Sequence, residues 1–161
     1  LALLTAITST PLTGTSIVHE CSDADCPYDH THFAWIWERP VDLIGSRIMD
    51  VVLHPGLPGH PDHAIWKRDF LGASGLFSIV LHSKSREAVL DMVNGMEFFS
   101  IGASWGGFES LMIPVYPEQY RSATHWDPSK FTLRIHAGLE DFDDLIEDLK
   151  AGFERLNRAS H

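Results

Sequence analysis

The sequence predicts an α+β fold, in which a small, mainly antiparallel sheet has helices packed on one face and an irregular segment precedes it. Two observations lead to this prediction. From residue 50 onward, short apolar runs rich in β-branched and aromatic residues alternate with segments of helical periodicity. Their order is strand, loop, strand, helix, strand, glycine-rich turn, strand, strand, helix, which is typical of a two-layer α+β architecture.

Five runs are predicted to be strands. Residues 75–81 have the apolar, β-branched and aromatic mixture of a mostly buried strand. Residues 132–136 alternate, so that Arg134 and His136 share a polar face while the opposite face lies on a core. The remaining predicted strands are residues 51–54, 98–101 and 111–115, the last confined by Pro114 and Pro117 to a sheet edge or a strand end.

Two segments have the periodicity of amphipathic helices, and residues 64–70 are predicted to form a helical turn. The first helix follows Ser85, a typical N-cap, and stops at Asn94-Gly95. The second is the best defined, because one apolar stripe runs along residues 142–156. Acidic residues at its start, from Glu140 to Asp144, favour the helix dipole, so we interpret them as a solvated first turn rather than a metal site.

The composition limits the classes of function. A chain of 161 residues suits one domain, and a formal net charge of −10 argues against a nucleic acid or an anionic membrane as partner. No apolar run approaches the roughly 20 residues that span a bilayer. The two cysteines, Cys21 and Cys26, make no disulfide framework, so we expect a cytoplasmic protein. Because the chain begins with Leu1 rather than methionine, we expect a fragment.

The stretch Gly102-Ala-Ser-Trp-Gly-Gly-Phe-Glu-Ser-Leu111 supports two interpretations. Its glycines indicate a backbone that turns sharply or approaches something closely. As a pattern it is G-x-S-x-G, the nucleophile elbow of α/β-hydrolases, with Ser104, Asp127 and His136 in the order of a triad. An elbow serine, however, is followed directly by a helix, whereas here an apolar, partly β-branched run follows. A tight turn between two strands is the simpler interpretation.

Three longer strings occur in one order and carry a resemblance to a known family. The strings are Trp66-Lys-Arg-Asp-Phe-Leu-Gly-Ala-Ser-Gly-Leu-Phe-Ser78, the Ser104-Trp-Gly-Gly turn, and Thr132-Leu-Arg-Ile-His-Ala-Gly-Leu-Glu-Asp141 followed by Asp144-Leu-Ile-Glu-Asp-Leu149. With them, over about residues 50–157, the chain resembles the C-terminal domain of the Cys/Met metabolism family of pyridoxal-phosphate-dependent enzymes of fold type I, and within it the cystathionine β-lyase group. We favour this interpretation over the hydrolase.

The resemblance implies a carbon–sulfur lyase of transsulfuration and methionine biosynthesis, which converts cystathionine into homocysteine, pyruvate and ammonia by α,β-elimination. It implies that Arg134 binds the substrate α-carboxylate, because a guanidinium pairs with both carboxylate oxygens. It further implies that Ser104 and Trp105 help to hold the substrate, and that Trp105 bears on reaction specificity. Ala103 departs from the pattern, where tyrosine is common, and Glu109 is interpreted as a brace of the turn. Family members are homotetramers.

The cofactor is expected to lie elsewhere. Members of the family bind pyridoxal phosphate as a Schiff base on a lysine of a large N-terminal domain. None of Lys67, Lys84, Lys130 and Lys150 has the sequence context of that lysine. We therefore expect that this chain alone binds no pyridoxal phosphate covalently and has no lyase activity. A non-catalytic interaction or remnant domain is the alternative, and a serine hydrolase at Ser104 is the second alternative.

Residues 1–47 have little periodicity and are assigned to no element. We hypothesise that they are not native enzyme sequence, with a divergent linker as the alternative, and place the domain at residues 48–161. The segment contains the ligand types of a zinc site, but their spacing fits none of the usual structural-zinc patterns, so no metal site is predicted. Those residues are His19, Cys21, Cys26, His30 and His32.

Overall fold

The computed structural model describes residues 48–82 and 85–159. The segment 1–47, for which no element or metal site was predicted, and Lys84 lie outside the described residues. The strands are β1 (Met49–Leu53), β2 (Leu76–Leu81), β3 (Ser100–Ile101), β4 (Leu111–Val115) and β5 (Thr132–His136), and the helices are α1 (His63–Asp69), α2 (Arg86–Asn94) and α3 (Phe142–Arg158), with a short 3-10 helix at Pro117–Gln119.

The five described strands form one sheet in the order β1-β2-β5-β4-β3. Three of the four pairings are antiparallel, and only β3 and β4 run parallel. The predicted α+β class with a mainly antiparallel sheet is therefore confirmed. None of the described helices has the length and apolarity that are needed to cross a membrane.

The core lies between one face of this sheet and the helices α2 and α3. The predicted alternation of β5 is confirmed, because Leu133 and Ile135 are fully buried in a cluster that includes Met92 of α2 and Leu149 of α3. The cap of α2 is also confirmed, since Ser85 Oγ accepts a hydrogen bond from the Ala88 amide at 3.1 Å. The helices thus cover one face and leave the other to the polar residues of β5.

Pro114 occupies the kind of position that the sequence predicted. It is the fourth residue of β4, and β3 pairs only with Leu111 and Met112, the first two residues of that strand. The proline therefore lies beyond the end of β3, where the missing N–H costs the sheet no hydrogen bond. β4 is an inner strand at its start and an edge strand at its end.

The predicted strand at residues 98–101 is only two residues long, and the carboxylate of Asp148 explains the difference. The amides of Glu97, Phe98 and Phe99 donate to this carboxylate at 2.9, 2.8 and 3.2 Å. Asp148 lies on α3 and is 7% exposed. Three consecutive amides thus bind a side chain instead of a neighbouring strand, and the ladder begins only at Ser100.

His54 is a second buried polar residue, and it follows β1. It is 3% exposed, and the Gly56 amide donates to its Nδ1 at 3.0 Å. Burial, with a smaller contribution from the charge of His60, lowers the pKa of His54 from 6.5 to about 4. The imidazole is therefore neutral in the native state at neutral pH.

We expect His54 to make the domain sensitive to acid. Between pH 6.5 and about 4 the unfolded chain protonates this residue while the native state does not, so the free energy of unfolding falls with pH by up to about 3 kcal/mol. Denaturant titrations at several pH values should show this loss in the parent chain and a smaller loss in His54→Gln. The control is His125→Gln, which removes an exposed histidine. Equal pH dependence in the parent and His54→Gln would contradict the prediction.

We expect Asp148→Asn to destabilise the fold. A carboxamide has one acceptor oxygen, and its NH₂ group faces amides that also donate, so at least one of the three N–H groups loses its partner at a cost of about 2–3 kcal/mol. Glu147→Gln on the exposed side of α3 makes the same charge change and serves as the control. The measurement is chemical denaturation, and equal midpoints for the two variants would show that the three hydrogen bonds contribute nothing.

Candidate functional site

The glycine turn, defined as residues 102–110, connects the parallel strands β3 and β4 and contacts the polar residues of β5. Because β3 is so short, nine residues suffice to return the chain from its end to the start of β4. In that path the turn comes into contact with Arg134 and His136. The predicted substrate-binding residues on β5 and on the turn are therefore brought together by the fold.

Arg134 makes the first of these contacts. Its Nη2 donates to the carbonyl oxygen of Ala103 at 2.7 Å, and the residue is partly exposed. On β5 it lies between Ser78 of β2 and Ile113 of β4, so its backbone is held on both sides. A guanidinium has five N–H donors, and one hydrogen bond to a carbonyl orients the group while leaving donors that pair with a carboxylate.

Ser104 and Trp105 follow Ala103 directly and both face solvent. The indole of Trp105 is 55% exposed, and Phe108 in the same turn is 69% exposed. Large aromatic side chains that are exposed together on one turn are typical of a surface that contacts another molecule or another part of the protein. Their part in substrate binding stays a prediction.

His136 has a role that the sequence did not reveal. Its side chain is buried, and its Nε2 lies 3.1 Å from both the Gly106 amide and the Gly107 carbonyl oxygen. The histidine therefore binds the backbone of the turn. The sequence placed it on the polar face of a strand, and only the position of the turn above that face supplies its partners.

The hydrolase alternative is not supported by this geometry. A triad base must contact both the serine hydroxyl and a carboxylate, whereas His136 is engaged with the backbone of the turn. The carboxylate of Asp127 accepts hydrogen bonds from the amide and hydroxyl of Ser129 at 2.9 and 2.7 Å. The histidine and the aspartate that a triad would need are thus committed to other partners.

The far end of the turn is held by Glu140. Its carboxylate accepts from the Ser110 amide at 2.8 Å and from the Ser110 hydroxyl at 2.7 Å. The same hydroxyl accepts from the Gly138 amide at 2.8 Å. The interpretation of Glu140 as part of a solvated first turn was wrong, because the folded chain uses this carboxylate to bind Ser110. Glu109, which the resemblance suggested as a brace, is exposed.

Gly138 lets the turn approach β5 closely. A Cβ at this position would lie 2.2 Å from the Phe108 carbonyl oxygen and 2.6 Å from the Glu109 carbonyl carbon, both of them backbone atoms. The Leu139 amide also donates to the Phe108 carbonyl at 2.8 Å. The glycine in the Ala137-Gly138-Leu139 string is thus explained by a backbone-to-backbone contact.

The described lysines do not fit a covalently bound pyridoxal phosphate. A Schiff base forms from a neutral amine, whereas the hydrogen bond and ion pair with Asp50 raise the pKa of Lys130. Lys67 and Lys150 are exposed on α1 and α3. Within residues 48–82 and 85–159, no group of three or more potential ligands is arranged to bind a metal ion.

Comparison with known proteins identifies the family of this chain. The model of the family described as Cys/Met metabolism PLP-dependent enzyme matches residues 44–154. A cystathionine beta-lyase of Salmonella typhimurium is 51% identical over 109 residues, which are 65% of this chain and 28% of the relative. An L-alanine/L-glutamate racemase of Wolbachia pipientis is 49% identical over 107 residues, 65% of this chain and 27% of the relative. The chain thus spans less than a third of the length of these relatives.

A solved structure shows the same fold. The cystathionine gamma synthase from Xanthomonas oryzae pv. oryzae, in complex with cystathionine, aligns with a TM-score of 0.63 at 27% sequence identity over 80% of this chain and 35% of that chain. The family match covers well over half of the sequence and includes the glycine turn, Arg134, His136 and Glu140. The chain therefore belongs to the Cys/Met metabolism family of pyridoxal-phosphate-dependent enzymes.

Proposed function

We propose that this chain is the C-terminal, substrate-binding part of a carbon–sulfur lyase of the cystathionine β-lyase type, which cleaves cystathionine to homocysteine, pyruvate and ammonia. The observation that carries the proposal is the hydrogen bond from Arg134 to the Ala103 carbonyl, in a chain that is 51% identical to a cystathionine beta-lyase over the matched segment. In this proposal Arg134 binds the α-carboxylate, and Ser104 and Trp105 contact the bound amino acid.

The chemistry of the residues is consistent with this role. A guanidinium that pairs with both oxygens of a carboxylate restricts rotation of the amino acid about its Cα, and elimination requires one particular Cα–H orientation. Arg134 is suited to this because its strand is paired on both sides and one N–H is already bonded to Ala103. The exposed Trp105 offers an apolar surface that excludes water from the ligand once it is covered.

The remainder of the activity is assigned to other parts of the complete protein. Pyridoxal phosphate, when bound, supplies the electron sink for the Cα carbanion. We infer that residues 48–161 form the substrate-binding domain and that this chain alone has no lyase activity. We further infer that the complete protein is a homotetramer, from the family resemblance, and that it is cytoplasmic, since its two cysteines make no disulfide framework. The net charge of −10 argues against nucleic-acid or membrane partners.

A second candidate is amino-acid racemisation. A relative named L-alanine/L-glutamate racemase is 49% identical over 107 residues, which is close to the identity with the lyase. Both activities act on an α-amino acid, so the same arginine serves either. Both reactions remove a proton from Cα, but only elimination also releases a group from Cβ. Which reaction occurs depends on residues outside the carboxylate contact.

A chimera tests the proposal. We expect that replacing the 109 matched residues of the Salmonella typhimurium relative by those of this chain gives an enzyme that releases pyruvate from cystathionine. In that chimera Arg134→Ala should lower kcat/KM by about 10²-fold, because a charge-assisted pair is lost. Arg134→Lys should recover little, since an ammonium does not form the two parallel bonds.

The matched control is Arg121→Ala, which removes an exposed arginine that bonds Thr124 and stacks on Trp126. Equal effects of the Arg121 and Arg134 substitutions would refute the assignment of Arg134. Racemisation of alanine without pyruvate release would select the second candidate. A folded, cofactor-loaded chimera that does neither would favour the non-catalytic alternative.

A further inference from the structure

The middle of the glycine turn is held in a way that differs from its two ends. At the start, the Ala103 carbonyl accepts from Arg134. At the end, Ser110 is bound by Glu140 and by the Gly138 amide. Between them, residues 104–107 contain the two predicted contacts to the substrate, Ser104 and Trp105. Their conformation therefore decides whether the carboxylate site is formed.

Packing contributes little to the order of this middle part. A Cβ built on Gly106 or Gly107 meets nothing within 4 Å. The φ of Gly106 is +78°. Glycine populates positive and negative φ about equally, so its own sterics do not hold this conformation. The side chains of Trp105 and Phe108 are exposed. Neither side-chain burial nor steric restriction therefore selects one conformation of residues 104–107.

His136 supplies the missing restraint. Among the described residues, this imidazole is the one group that forms hydrogen bonds with residues 104–107. The Gly106 amide donates to Nε2 at 3.1 Å, and the Gly107 carbonyl oxygen lies 3.1 Å from the same nitrogen. A single nitrogen makes one of these bonds at a time, as acceptor when the ring proton is on Nδ1 and as donor when it is on Nε2. The fixed N–H of Gly106 favours the acceptor form.

The imidazole is itself rigidly placed. His136 is 2% exposed and ends β5, where it is paired with Leu76 of β2 and Leu111 of β4. It lies two residues after Arg134, so the two side chains project from the same face of one strand. A single rigid strand thus holds the carboxylate-binding group and the group that holds the turn.

We propose that His136 is a positioning residue, whose Nε2 fixes residues 104–107 relative to Arg134 and so forms the carboxylate site. The identity of the ligand rests on the proposed function, whereas the restraint on the turn does not. Loss of the nitrogen releases the middle of the turn while both of its ends and the core stay in place.

Two substitutions separate the restraint from simple space filling. His136→Phe keeps a ring of similar size in the buried position and removes both nitrogens. His136→Gln keeps a polar group at about the reach of Nε2, and its carboxamide has both an acceptor for the Gly106 amide and a donor for the Gly107 carbonyl. If His136 only fills space, Phe should preserve the order of residues 104–107 better than Gln does. If His136 positions the turn, Gln should preserve that order better than Phe does.

The experiment is ¹⁵N NMR on the full 161-residue chain, with heteronuclear NOE values as the measure of backbone order. We expect values for residues 104–107 close to those of β5 in the parent chain and in His136→Gln, and clearly lower values in His136→Phe. Values for β5 and α3 should be unchanged in all three. Unchanged values for residues 104–107 in His136→Phe would overturn the proposal.

A measurement on the parent chain keeps the test decisive if His136→Phe does not fold. The Gly106 amide is expected to exchange its hydrogen about 10-fold or more slowly than the Gly107 amide, after correction for intrinsic rates, because only the former is bonded to the imidazole. Equal exchange rates would overturn the proposal. Neither measurement needs substrate, so an inactive chimera would refute the proposed function without bearing on His136.

Discussion

The alternation of side chains along β5 is the constraint on which the rest of the structure depends. Leu133 and Ile135 project into the core beneath α2 and α3, so Arg134 and His136 must project from the opposite face. Since β5 is paired with β2 on one side and β4 on the other, it moves little. The same five residues thus support both the hydrophobic core and the candidate binding surface.

Two carboxylates of the C-terminal region fix the two ends of the segment that contains β3 and the glycine turn. Asp148 binds the amides that lead into β3, and Glu140 binds Ser110, just before β4. Both belong to a segment rich in acidic residues. Most of those acids face solvent near the start of α3, where the helix dipole favours negative charge. Hydrogen bonds from backbone amides distinguish them from their neighbours, because an N–H group withdrawn from water is costly unless a strong acceptor faces it.

The resulting site is a surface with one charged anchor and an exposed aromatic neighbour. In the proposed role Arg134 binds an α-carboxylate, a contact that suits any reaction of an α-amino acid. Relatives named for a lyase and for a racemase are each about half identical to this chain over the matched segment. A contact of this kind fixes how an amino acid is held. The choice of reaction depends on groups that approach from outside this surface.

Much of the domain follows from the sequence alone. The period of two in β5, the Ser85 cap and the apolar stripe of α3 depend on residues that are near each other in the chain, so local rules suffice to predict them. Arg134 was likewise predicted as a site residue from a string of neighbouring residues, and its role in binding stays a prediction. Local pattern did not, however, reveal the shortening of β3, the parallel pairing with β4, or the roles of His136 and Glu140.

Those features required the tertiary structure, for a physical reason. The hydrogen bonds from Gly106 to His136, from Ser110 to Glu140 and from Arg134 to Ala103 join residues about 30 positions apart, and the bonds to Asp148 span about 50. A histidine on a strand or a glutamate before a helix looks the same in sequence whether or not a loop lies above it. The sequence determined which residues were available, and the fold decided which of them meet.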